Sequence, residues 1–230
     1  MAAIDIYSPS DDWHIFLGGP PAGGSSWNTI RNATTGNFMS STGSAASVMA
    51  IYASGRGAAF YDISRYFLYF NMASFPAYSS INSVTLYAYR QLGGGDTVIA
   101  VRHDAPSGHL NNPEFVFYPN HDPASGDSMT AYSSYNLSAN GGNSFTLNAT
   151  AIHELIQCIE GSGNGGATVT SFEVALVTGA DYANSAPTDM SINTQWRTQN
   201  YSGTGSDPFI RVDYSTAAVA HNATFFGANF

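Results

Sequence analysis

Enzymatic chemistry depends on activated side chains that converge, and this sequence offers few candidates for such a set. The six histidines are scattered along the whole chain: His14, His103, His109, His121, His153 and His221. They lack the HExxH spacing of a zinc hydrolase, and no G-x-S-x-G turn supplies a nucleophilic serine. The four glutamates, at positions 114, 154, 160 and 173, form no evident pair for glycoside hydrolysis. We therefore expect no catalytic residues, no cofactor and no enzymatic activity.

Two groups of carboxylates have residue types that suit a metal ion. The first lies in a loop-rich stretch and the second near predicted strand ends, where oxygen ligands would hold a structural calcium. The groups are Asp104, Asp122 and Asp127 with His109 and His121, and Asp181, Asp189 and Asp207. Solvated loop side chains and turn-forming aspartates account for the same residues. We favour this second interpretation and predict no metal site.

The three tryptophans are candidates for binding sugars. A flat aromatic ring packs well on the apolar face of a pyranose, so Trp13, Trp27 and Trp196 would form a glycan platform if they were exposed together. Tryptophans of a β-sandwich also serve as core side chains. Both interpretations are open from the sequence.

Composition limits the partners. The chain of 230 residues is 43% hydrophobic and 13% aromatic, which is ample for a core, yet only 10% of its residues are charged. All seven basic residues are arginines, and the net charge is −9. Because no basic patch is available to neutralise phosphates, we expect neither nucleic acid nor an anionic membrane surface as a partner.

Three further features bear on the compartment. Cys158 is the only cysteine, and its apolar neighbours predict a buried, inert thiol. The N-terminal sequence MAAIDIYSPSDDW has no basic segment followed by an apolar one, so we expect no signal peptide. No run approaches the ~18 apolar residues of a membrane span. We expect synthesis in a cytosol without a leader.

The stretch from 61 to 90 is the apolar centre of the sequence and contains two strands joined by a polar loop. In the first strand, the run RYFLYF at 65–70 places bulk on both faces, since successive side chains of a strand point to opposite sides. Both faces should therefore be covered. We expect the rest of the chain to wrap this pair of strands.

Shorter alternating runs predict further strands at 1–7, 13–17, 27–35, 37–41, 45–53, 96–103, 143–148, 171–178, 191–197 and 209–214. Ile152, Leu155, Ile156 and Ile159 follow the helical period, so one short helix is predicted there, with Glu154 and Glu160 on its exposed side. Residues 104–135 are rich in proline and glycine and predict a long irregular segment. The pattern favours an all-β fold, a jelly-roll β-sandwich with one short helix over residues 1–214.

The last 16 residues, 215–230, fall outside the sandwich pattern and read as an apolar C-terminal arm. The arm has no charged residue and contains Phe225, Phe226 and Phe230. Soluble proteins seldom expose such a patch, so the arm should either close its own domain or dock on another subunit. We predict that the three phenylalanines form an oligomer or particle contact.

Three runs in the chain resemble the DNRLRE-type jelly-roll domains, a family close to carbohydrate-binding modules. They are SRYFLYFNMASFPAYSSINSVTLYAYR, NSFTLNATAIHELI and SGTGSDPFIRVDY, which follow one another in the expected order, and the resemblance as a whole covers roughly residues 5–214. Val84 stands where the family usually has alanine. The resemblance implies structural roles for Arg65, Phe70, Ile81, Ser83, Thr85, Leu86, Pro208, Val212 and Tyr214.

Similar proteins include glycan-binding modules of secreted bacterial proteins and surface proteins of bacteriophage heads or tails. With no expected signal peptide and an apolar arm, the chain is closer to the phage type. Our first hypothesis is a non-enzymatic virion structural protein, a capsid decoration or fibre-type subunit that acts at the virion surface. Its partners would be other copies of itself and capsid or tail proteins. The alternative is a carbohydrate-binding module that recognises cell-surface glycans.

Overall fold

The computed structural model describes residues 1–8, 13–17, 26–31, 38–40, 43–55, 58–93, 97–103, 129–134, 136–137, 139–161, 170–188 and 193–216. For 13–17 and 38–40 it describes the backbone alone. The three arm phenylalanines and the loop group of candidate metal ligands lie outside the described residues. Asp189 does so as well.

Twelve strands and three α-helices are found in the described residues. In chain order they are β1 (Ala2–Tyr7), β2 (Trp13–Leu17), α1 (Trp27–Arg31), β3 (Phe38–Ser40), β4 (Ala45–Gly55), β5 (Ala58–Asn71), β6 (Tyr78–Gly93), β7 (Thr97–Arg102), β8 (Asn136–Leu137), β9 (Gly141–Thr146), α2 (Ala149–Ile159), β10 (Ser171–Thr178), α3 (Gly179–Tyr182), β11 (Asn193–Arg197) and β12 (Phe209–Thr216). A short 3₁₀ helix covers Thr204–Ser206. The strands form one curled antiparallel sheet with few helices, which confirms the all-β class.

The prediction of a single helix was wrong. Residues 27–31, expected as the start of a strand, form α1, in which Trp27 and Ile30 face the same side and are both buried. Ser26 caps the helix, because its hydroxyl accepts a hydrogen bond of 3.2 Å from the amide of Thr29. Five residues are too few to reveal a helical period in the sequence.

The two long strands of the apolar centre, β5 and β6, are not neighbours in the sheet. In β5, Ile63 pairs with both β2 and β4, whereas Tyr66 pairs with both β2 and β10. Since a strand has only two edges, β2 lies along one edge of β5 while β4 and β10 share the other. By the same argument from Thr85 and Arg90, β9 lies along one edge of β6 while β12 and β11 share the other. Each long strand thus changes partner along its length, which allows the sheet to curl.

The curled sheet encloses a first core and carries a second one on its outside. The first core receives side chains from most strands and from α2, among them Tyr66, Leu68 and Phe70 of β5. The second core is formed on the opposite face of β5, β7 and β10, where Ile63 and Phe67 pack with α1. Both faces of β5 are therefore covered, as the sequence predicts.

A buried ion pair fastens the outer layer to β5. Arg65 is fully buried, and its guanidinium donates to both oxygens of Asp181 over 2.7 and 2.8 Å. The backbone amide of Asp181 is held in turn by the Thr178 hydroxyl at 3.2 Å, at the start of α3. Arg31 of α1 donates to the backbone oxygen of Asp181 over 2.8 Å. Asp181 thus connects β5, α1 and α3 through its carboxylate and its backbone.

Helix α2 packs on the first core with a buried carboxylate on its inner side. Asn148 caps the helix, and Cys158 is buried as predicted. Glu154 is only 7% exposed, so its predicted exposure was wrong. Its carboxylate accepts a hydrogen bond from the Tyr132 hydroxyl and pairs with Arg102 at 3.0 Å. Glu160, by contrast, is exposed as expected.

Replacing Arg65 with methionine should destabilise the fold strongly. The change leaves the Asp181 carboxylate buried with only Arg31 near it, at 3.5 Å, and a buried charge that loses its partner costs roughly 3 to 5 kcal/mol. Urea unfolding of the full chain measures the loss. The matched control is Arg211→Met, which breaks a bidentate pair with Asp5 at 2.7 Å on the surface and should cost much less. Equal losses in the two variants would contradict the anchoring role of Arg65.

Candidate functional site

Trp27 and Trp196 do not contribute to a glycan platform, because both are buried. Trp27 is 6% exposed in the second core, where its indole donates to the Asn184 side chain over 2.9 Å. Trp196 is fully buried in the first core and donates to the Thr194 hydroxyl over 2.8 Å. Neither ring has a face left for a sugar. Trp13 lies in β2, and its side chain is outside the described residues.

The candidate metal ligands that the structure describes are not assembled. Asp181 is engaged by two arginines, a surrounding that disfavours a cation. Asp207 is 8% exposed and lies just before β12. Within the described part of the chain, no three His, Cys, Asp or Glu side chains stand close enough together to hold a metal ion.

The histidines that are described with their side chains also stay apart. His103 follows β7, and its Nδ1 lies 3.2 Å from the Glu173 carboxylate while its ring packs on Phe67. His153 is on the exposed side of α2. Within the described part of the chain these two histidines do not come together, and the acid beside His103 is Glu173.

A different group of side chains forms an exposed surface on the sheet. We define the aromatic face as Asp5, Tyr7, Tyr87, Phe209 and Arg211. The Tyr87 and Phe209 rings are stacked, with centroids 4.7 Å apart and an angle of 11° between their planes. The Tyr7 ring lies 5.2 Å from Phe209 and is 47% exposed. Three rings therefore stand in a row, of which Tyr7 is exposed while Tyr87 and Phe209 are half-buried.

The register of three strands produces this row. In the antiparallel ladders Tyr7 pairs with Phe209, and Phe209 pairs with Tyr87, across β1, β12 and β6. Directly opposite residues of neighbouring strands share a face of the sheet. The alternate residues, such as Ile210 and Leu86, point into the first core. The core side of these strands thereby fixes which side chains reach the aromatic face.

A second row on the same face carries charges that neutralise each other. Asp5 pairs with Arg211 in the β1–β12 ladder, and the Arg211 guanidinium forms two hydrogen bonds of 2.7 Å with the Asp5 carboxylate. This carboxylate raises the pKa of Arg211 above its usual value, so the guanidinium stays charged. The guanidinium also lies 5.7 Å from the Tyr87 ring centre and 5.9 Å from that of Phe209.

The aromatic face continues toward the end of β11 through a stacked arginine. The Arg197 guanidinium carbon lies 3.9 Å from the ring centre of Tyr89 and 3.8 Å from that of Tyr201. One terminal nitrogen of Arg197 donates to the Ser206 hydroxyl over 3.0 Å. This contact holds the loop after β11 against β6, beside the row of rings.

Comparisons with known proteins do not test the resemblance to DNRLRE-type jelly-roll domains, which stays a prediction. No protein-family model matches the sequence, and no curated protein matches it either. In the described residues, no helix combines the length and the apolar character needed to cross a membrane.

Sequence reasoning missed the aromatic face, although part of its signal is present. The alternation of Tyr87 and Tyr89 with Leu86 and Ala88 places tyrosines on the side of β6 away from the core. The same alternation in β12 places Phe209 on the face of the sheet away from the core and Ile210 on the core face. The alternation does not reveal the register that places β1, β12 and β6 side by side.

Asp207 should make stability depend on pH in the weakly acidic range. Burial raises the pKa of its carboxyl, and its Oδ1 has no hydrogen-bond partner within the described part of the chain. Between the ordinary carboxyl pKa and this raised value, the folded chain binds more protons than the unfolded chain. The free energy of unfolding contributed by Asp207 therefore falls as the pH rises through that window.

The variant Asp207→Asn keeps the shape of the side chain and removes the charge. We expect it to lose this part of the pH dependence and to be at least as stable as the parent chain at neutral pH. Urea unfolding measured between about pH 4 and 7 tests this. A parent and a variant with the same pH dependence would contradict the assignment.

Proposed function

We propose that this chain is a non-enzymatic structural protein of a bacteriophage virion surface, a capsid decoration or fibre-type subunit. It acts by associating with other copies of itself and with capsid or tail proteins. The observation that carries the proposal is the aromatic face, because it is a solvent-open surface built from residue types that dominate protein contacts. The fold we propose for it is a jelly-roll β-sandwich, as in the domains that the sequence resembles.

The composition of the aromatic face supports association. Tyrosine, phenylalanine and arginine are enriched where proteins bind each other, whereas lysine and glutamate are depleted. Tyr7, Tyr87 and Phe209 are held in place by strand register and by mutual stacking, so their ordering costs little conformational entropy on binding. A pre-ordered surface of this kind suits a subunit that has to bind in many copies.

Charge supports the same proposal. The chain carries a net charge of −9, so two copies repel each other over most approaches. Asp5 and Arg211 neutralise each other within the aromatic face, at 2.7 Å. An approach through this face therefore avoids the repulsion that the rest of the chain produces.

The proposal predicts that the full chain is a stoichiometric component of virus particles. Mass spectrometry of gradient-purified particles, from a culture whose virus encodes this chain, should detect it at many copies per particle. Replacing Phe225, Phe226 and Phe230 with serine together should release it from particles, because the apolar contact of the arm is lost. His221→Ala in the same arm is the control and should be retained. Recovery of the unmodified chain only from the soluble lysate would refute the proposal.

A second candidate, glycan binding, is favoured by one observation. The Tyr7 ring is 47% exposed and lies beside the Asp5–Arg211 pair, so an aromatic surface and polar groups that hydrogen bond to sugar hydroxyls occur together. This face replaces the tryptophans as the place where a carbohydrate would bind.

Glycan binding is tested on an array of bacterial surface polysaccharides. If it is the function, the full chain is retained and Tyr7→Ser lowers retention, whereas Leu92→Ser, another exposed apolar site at 55%, leaves it unchanged. A chain that no glycan retains removes this candidate and leaves the virion proposal in place.

A further inference from the structure

We propose that the aromatic face is the docking site for the C-terminal arm of a second copy of this chain, with residues 217–230 as the occupant. The inference deepens the proposed function and rests on it, since it names the surface through which copies associate. It joins two features that are otherwise unrelated: an uncharged segment with three phenylalanines and an open row of rings.

The chemistry of the two surfaces is complementary. Residues 217–230 read AAVAHNATFFGANF and contain no Asp, Glu, Lys or Arg. Their partner surface must therefore be apolar or internally neutralised, since an unpaired charge buried under an apolar segment is costly. The aromatic face meets this condition because its two charges form a bidentate pair and its three rings supply the apolar area. Phenylalanine rings of the arm would extend the existing row by stacking or edge contacts.

The arm is long enough to reach an aromatic face. The arm begins at the end of β12, where Thr216 pairs with Tyr78, while Phe209 of the aromatic face is at the other end of the same strand. Seven residues of strand separate the two, about 23 Å. Phe225 lies nine residues beyond Thr216, within about 30 Å when extended. Phe225 is therefore far enough along the chain to reach an aromatic face, and the inference assigns that face to a second copy.

The last residues of β12 are held in the sheet by side chains of β6. The Ser79 hydroxyl donates to the backbone oxygens of Ser215 and Thr216, each over 3.3 Å. The Asn82 amide donates to the Ser215 hydroxyl over 3.4 Å. These contacts keep β12 in the sheet up to its last residue, two residues past the end expected from the sequence.

The inference is tested by photo-crosslinking of the full chain with benzoyl-phenylalanine in place of Phe226. Irradiation of the purified protein should give a covalent species at twice the chain mass of 24.3 kDa. Mass spectrometry should find the arm peptide joined to peptides that contain Tyr7, Tyr87 or Phe209. Crosslinks confined to single-chain mass, crosslinks to another surface, or none at all would each overturn the inference.

Variants of the face provide an independent measurement. With the crosslinker at 226, the double change Tyr7→Ser and Tyr87→Ser should lower the yield of the double-mass species on the order of tenfold or more, since two aromatic contacts are lost. Leu92→Ser lies on β6 but outside the aromatic face, and it should leave the yield unchanged. Thermal unfolding of each variant verifies that the sheet is intact.

Failure of this inference and failure of the proposed function are distinguishable. A chain found in purified particles whose arm crosslinks elsewhere retains the virion function and loses the docking site. A chain missing from particles that still gives the double-mass crosslink at the aromatic face retains the docking site and loses the virion function.

Discussion

The guanidinium of Arg65 points from β5 into an apolar layer, and the carboxylate of Asp181 is what makes that position tolerable. An isolated charge there would oppose folding, so the outer layer requires α3 to lie against β5 with its carboxylate on Arg65. α1 is bound to the same residue through Arg31, which donates to the backbone oxygen of Asp181. With the outer face of β5 sealed in this way, the inner face is free to form the larger core with β6, β10 and α2. The two-layer arrangement depends on a single fully paired aspartate.

The molecule thereby divides into a closed side and an open side. Around β5, both faces of the sheet are covered, and Trp27 is used entirely for packing. Around β12, only one face is covered, because Ile210 and Val212 point inward while Phe209 and Arg211 point outward. A sheet with one solvated face usually places small polar residues there. Aromatic rings in that position indicate a surface adapted to contact, and the neutral Asp5–Arg211 pair keeps that contact compatible with an acidic chain.

The sequence predicts those features that depend on local pattern. The run RYFLYF is enough to indicate that β5 is covered on both sides, and the helical period of Ile152, Leu155 and Ile159 is enough to locate α2. Features that depend on distant partners are not predictable in this way. The burial of Glu154 requires Tyr132 and Arg102, and the aromatic face requires the register of three strands from the beginning, the middle and the end of the chain. The fold class is therefore accessible from the sequence, whereas the candidate site is a product of strand pairing.

The location of β12 between two partners has a mechanical consequence. It is bonded along one edge to β1 over six residue pairs and along the other to β6 over eight, and the chain continues from its end into the arm. Tension applied through the arm acts along the strand, at right angles to the hydrogen bonds of both ladders. Those bonds then bear the load together in shear, and they cannot be opened one after another as in a peeled strand. For the proposed virion subunit, a pull on the arm would therefore load β12 in the direction in which its two ladders resist most.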